Sequence, residues 1–62
     1  MNDLSMVLEI LKAAQKEAAL LASYANRRER FHQAVDHAYR RDVLEYVIDL
    51  LTDEEYLNKQ AE

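Results

Sequence analysis

Neither glycine nor proline occurs anywhere in these 62 residues. Those two residues punctuate most chains into turns and strands, so a chain without them has few places to reverse direction cheaply. What remains is dominated by Ala, Leu, Glu, Lys, Arg and Gln, side chains that lose little rotamer freedom in a helix. Val and Ile are too few for a convincing sheet. The expected fold class is all-α, and at this length residues 1–62 make one small helical domain.

The first segment carries a stripe at Leu4, Val7, Leu8, Leu11, Ala14, Ala18, Leu21, Ala22 and Ala25, whose steps of three and four residues match one face of an α-helix. Asn2 or Asp3 can cap its start. The alanines in its second half allow another backbone to approach closely. Ile10, Ala13, Leu20 and Tyr24 widen the apolar surface, so this helix is expected to touch two neighbours. Asn26 is the best candidate for a break, because Glu29 follows three residues later in the spacing of a capping box. A single helix from Asp3 to Leu51 would be roughly 70 Å long and would need an extended coiled coil. The heptad pattern is not clean enough for one, which favours a hairpin.

In the second segment the apolar stripe runs Phe31, Val35, Tyr39, Val43, Tyr46 and Leu50, drifting around the helix rather than repeating every 3.5 residues. Past Val43 it broadens to Leu44, Val47, Ile48 and Leu51, so "VLEYVIDLL" reads as the most buried part of the fold. Asp42 with Glu45 offers another capping box. The clearest boundary is "LLTDEEYLN", where Thr52 and Glu55 fit the S/T-x-x-E box and acidic residues suit a helix start. The expected architecture is a helical hairpin over about 3–25 and 27–51 plus a short C-terminal helix over about 53–59. Tyr56 and Leu57 of that helix would fold back on the hairpin.

A hairpin this small leaves one side of each helix open to water and is short of apolar burial. Self-association as a homo-oligomer, a dimeric four-helix bundle in the simplest case, is the economical remedy. Leu44, Val47, Ile48, Leu50 and Leu51 are the residues expected to carry it.

Charge is distributed unevenly. The stretch "NRRERFHQAVDHAYRR", residues 26–41, holds five of the eight basic side chains and both histidines. Its arginines outnumber Glu29 and Asp36 to give +3, against −7 elsewhere and −4 overall. Arg27, Arg28, Arg30, Arg40 and Arg41 are therefore the candidate partner-binding residues, since guanidinium groups grip carboxylate or phosphate in bidentate fashion. Against nucleic acid stand the acidic total and the lack of a recognition motif with known docking geometry. The arginines also fail to line up on a helix, and a solvated face paired with acidic neighbours accounts for them as well.

Glu29-x-x-His32 has the spacing used in carboxylate-bridged di-iron bundles, but no further carboxylate faces it from the first helix. His32 with Asp36 suits a helix-surface pair better, and no metal or other cofactor is expected. Ser5 and Ser23 have no histidine nearby in sequence, and two helices make a poor preorganised pocket, so a non-enzyme is expected. The chain lacks cysteine, which excludes disulfides and thiol chemistry and favours a reducing, cytoplasmic setting. The start "MNDLSMVLEI" lacks the basic-then-apolar order of a signal peptide. The longest uncharged run, "AALLASYAN", is short of the ~20 residues that span a bilayer. The largely acidic polar sides argue against binding to anionic lipid.

These features converge on a small regulatory or adaptor protein that binds another protein through an exposed helix face. The alternative is a nucleic-acid-binding regulator that uses the arginine cluster on a symmetric dimer. Salt dependence separates the two.

Overall fold

The structure, a computed structural model, describes the backbone of residues 3–61 and the side chains of residues 3–53. Two helices, α1 (Asp3–Arg27) and α2 (Phe31–Ala61), pack against each other as a hairpin. The Cα trace measures 50 × 18 × 11 Å, so the fold is a single layer of two rods. Its radius of gyration is 14.6 Å, whereas a compact domain of this length comes to about 10.6 Å.

The seam between the helices has a simple pattern. On α1 it runs Leu4, Leu8, Leu11, Gln15, Ala18, Ala22 and Ala25, each buried or half-buried. On α2 it runs Ala34, His37, Arg41, Leu44, Ile48 and Leu51. Both sets alternate steps of three and four residues, the period that keeps a straight seam between two helices. At the turn the seam is built from small residues: Ala18, Ala22 and Ala25 are buried opposite half-buried Ala34 and Ala38. Toward the open end it is built from leucines and Ile48, so the packing is tight at one end and bulkier at the other.

The turn lies at Arg28–Arg30, beyond the break expected at Asn26. Asn26 is still helical, and the chain reverses through Glu29 in the left-handed region, at φ 60°. Arg30 N–H donates to the Ala25 carbonyl at 2.9 Å and Glu29 N–H to the Asn26 carbonyl at 3.1 Å. This pair of bonds is a Schellman closure, which satisfies the last carbonyls of α1. A cap at Asn26 would have unwound the helix at Ala25, which is buried in the seam. Tertiary packing of that alanine outweighs the local capping signal. Arg27, in the last turn of α1, and Arg28 just beyond it suit the negative end of that helix. Arg30 takes the N-cap position of α2, its carbonyl accepting from Ala34 N–H at 2.9 Å.

No separate C-terminal helix begins at residue 53. Helix α2 runs unbroken to Ala61, through both Asp42 and Thr52. Instead of capping a new start, the Thr52 hydroxyl donates back to the Ile48 carbonyl at 2.7 Å. A threonine inside a helix can satisfy itself this way, and the capping spacing then has no structural consequence. The side chains of Tyr56 and Leu57, expected to fold back on the hairpin, lie outside the described residues, as does Asn2.

"VLEYVIDLL" is divided between two surfaces rather than buried throughout. Ile48 is buried and Leu44, Val47 and Leu51 are half-buried on the side of α1, while Val43, Tyr46 and Leu50 are exposed. Four of the five residues expected to carry self-association thus help to close the hairpin itself, leaving Leu50 outside.

Candidate interaction surface

Helix α2 has a second apolar side. Phe31, Val35, Tyr39, Val43, Tyr46 and Leu50 are between 42% and 72% exposed. At about 100° per residue they cluster on the side of α2 opposite its seam with α1. Helix α1 carries a smaller outer set of Met6, Val7, Ile10, Leu20 and Tyr24, also exposed. The hairpin therefore has apolar outer surfaces on both helices. Allowing about 200 Å² for a large side chain, the α2 stripe alone leaves on the order of 700 Å² of surface in water. The largest apolar patch on an ordinary monomer is about 300–600 Å².

Beside the turn lies a shallow groove of about 350 Å³. Its floor is Ala19, Ala22, Ala34 and Ala38, with Phe31 and Val35 on one wall and Asn26 and Arg41 at the rim. The small residues that let the helices approach are also what leave this depression. Among the described residues no polar or charged side chain is buried, so no buried polar group is aimed into the groove.

The five arginines do not make one patch. Arg27, Arg28 and Arg30 gather at the turn, while Arg40 and Arg41 lie about ten residues along α2, some ~15 Å away along its axis. Three of them are engaged within the chain. Arg28 lies over the Tyr24 ring, 4.2 Å from its centroid. Arg40 Nη2 donates to His37 Nδ1 at 2.6 Å. Arg41 Nε donates to Asp42 Oδ1 at 3.0 Å in the one ion pair among the described residues. Such exposed contacts hold side chains in place without contributing much stability.

Glu29 sits in the turn and His32 in the first turn of α2, so their E-x-x-H spacing does not fall on one helix. Among the described residues no three His, Asp or Glu side chains gather where a metal ion could be held. His32 and Asp36 are both exposed and do not form the ion pair expected of them. Of the alcohols, Ser23 borders the groove and Thr52 is committed to Ile48. Among the described residues, no helix is long and apolar enough to cross a membrane.

The Phe31–Leu50 stripe is plain in the sequence, whereas the broad apolar run after Val43 reads there as a single buried surface and is in fact divided between two sides. The signal that separates the two sides is the 3–4 alternation of Ala34, His37, Arg41, Leu44, Ile48 and Leu51. Its first half hides behind polar and small residues. Comparison with models of protein families, with curated proteins and with solved structures finds no match to this chain.

Proposed function

We propose that this chain is a non-catalytic protein–protein interaction module, a small cytoplasmic regulatory or adaptor protein that works through the outer faces of its helices. The observation that carries this reading is the apolar surface left outside the seam on both helices: six large side chains on α2, and Met6, Val7, Ile10, Leu20 and Tyr24 on α1. Apolar surface on that scale is costly to leave wet, and helix-in-groove recognition uses anchors at this three-to-four-residue spacing. The groove is lined mostly by apolar side chains, and none of its polar ones, Ser23, Asn26 and Arg41, is buried, which supports a binding role over a catalytic one.

The test is retention of proteins on the immobilised chain, compared between wild type, an outer-face variant (Leu20→Glu with Tyr24→Glu) and an arginine variant (Arg27, Arg28 and Arg30 all →Gln). Retained proteins should be lost in the outer-face variant, and should survive both the arginine variant and a rise from low to moderate salt. Retention of nucleic acid, steeply weakened by salt and by the arginine changes, would overturn the reading in favour of phosphate binding.

A further inference from the structure

The interaction-module reading leaves open what covers the α2 stripe, and three observations agree on an answer. The first is area. A compact monomer of 7.3 kDa exposes about 4,200 Å², whereas this chain exposes 5,199 Å². The surplus, about 1,000 Å², is close to the ~800 Å² that each partner contributes to a standard interface.

The second is the symmetry of the stripe. Reversing the order of Phe31, Val35, Tyr39, Val43, Tyr46 and Leu50 gives nearly the same spacing. Laid antiparallel on a second α2, Phe31 meets Leu50, Val35 meets Tyr46 and Tyr39 meets Val43, and the same contacts repeat across the two-fold axis. That is the condition an isologous interface has to satisfy. Each pair sets a larger side chain against a smaller one, which lets the layers interdigitate.

The third is charge. Residues 26–41 are net +3, while residues 42–62 carry seven acidic side chains against Lys59, a net −6. At this register antiparallel pairing brings the turn arginines Arg27, Arg28 and Arg30 of one chain level with residues 51–54 of the other, which include Asp53 and Glu54, while Arg40 and Arg41 lie across the axis from their own copies. Parallel pairing sets acidic on acidic along most of the helix. Opposite fields draw partners together and fix their register, and like fields exclude it.

We infer that the occupant of the α2 stripe is a second copy of this chain, paired antiparallel across Phe31, Val35, Tyr39, Val43, Tyr46 and Leu50. This names the partner of one outer face within the interaction-module reading and rests on it. The α1 outer face stays free in the pair. The seam residues Leu44, Ile48 and Leu51, with Val47 beside them, keep their packing within each hairpin.

The experiment combines mass with cross-linking, using the fact that the chain has no native cysteine. Sedimentation of the full chain at micromolar concentration is expected to give twice the chain mass. Two single variants, Val35→Cys and Tyr46→Cys, are then oxidised separately and as a mixture. Residues 35 and 46 lie about 16 Å apart along the helix. In the antiparallel pair neither variant cross-links with itself, and the mixture gives the mixed disulfide dimer. Self-cross-linking of each variant without the mixed product means parallel pairing and overturns the proposal. So does a folded chain that sediments as a monomer, or a dimer that cross-links in none of the three samples. Tyr39→Glu should halve the mass, and because its side chain lies outside the seam, loss of helicity in that variant leaves the cross-linking result to decide. Whether proteins are retained through the α1 face is a separate readout, so failure of the dimer and failure of the interaction-module reading produce different results.

Discussion

The residue under most local strain is Glu29, and its replacement gives a prediction whose sign depends on where the chain turns. At φ 60° it occupies the left-handed region, which costs a residue with a Cβ roughly 1–2 kcal/mol and glycine nothing. Glu29→Gly relieves that cost and adds about 0.4–1 kcal/mol of unfolded-state freedom. The balance is a stabilisation of about 0.5–1 kcal/mol, or some 3–8 °C in melting temperature for a domain this small. Had the turn formed at Asn26, Glu29 would be a helical residue, and glycine there would cost about 1 kcal/mol. A second substitution reverses in the same manner. Asn26 is exposed within α1, so Asn26→Ala should gain about 0.5 kcal/mol of helix propensity. As an N-cap it would lose about 1 kcal/mol on the same change. Both variants are to be melted by far-UV circular dichroism at one fixed protein concentration, because the proposed association would make the midpoint concentration-dependent. A fall in melting temperature for either variant refutes the Schellman turn.

Other substitutions probe the two sides of each helix. Ala18 is 1% exposed at the close approach of the helices, so Ala18→Leu should force them apart at a cost of about 1–3 kcal/mol in denaturant unfolding. Ile48→Asp buries an unpaired charge in the seam and should cost several kcal/mol, enough to lose most of the helical signal. Leu50→Asp, only two residues away but on the outer stripe, should spare intrachain packing and act through association, so its effect on the melt should shrink as protein is diluted. Changing Arg27, Arg28 and Arg30 to Gln should shift stability by at most about 1 kcal/mol, since exposed ion pairs and an exposed cation–π contact are worth little. A larger loss would show that the arginines brace the turn.

The helical class and the hairpin were legible because composition and the absence of glycine and proline act over the whole chain, where small propensities add up. The turn was less so. Asn26 with Glu29 satisfies a local capping rule, yet the rule takes no account of Ala25, whose burial against α2 is decided by the other helix. Thr52 with Glu55 failed for a related reason: a threonine hydroxyl has an equally good acceptor one turn back, at the Ile48 carbonyl. Capping spacings mark where a helix can start, and continued helix competes for the same donors and acceptors.

The harder case is the division of α2 into two apolar sides. Hydrophobicity alone ranks Phe31, Tyr39 and Tyr46 above Ala34, His37 and Arg41, and so picks the outer stripe as the core. What places the second set inside is the shape of the facing helix. Ala18, Ala22 and Ala25 leave no bulk to fill the space between the rods, so the backbones come close and only residues with small Cβ groups or flexible stems fit opposite. Alanine does so directly. Arg41, half-buried at the groove, has a flexible stem that lets its Nε reach Asp42 Oδ1. The large aromatic residues are excluded from this end of the seam by size, and they are left together on the outside. The same small residues that close the hairpin therefore leave the large apolar side chains of α2 exposed, on the surface proposed to pair. For that reason filling the alanine seam and emptying the outer stripe should affect different properties of the protein, the first its folding and the second its association.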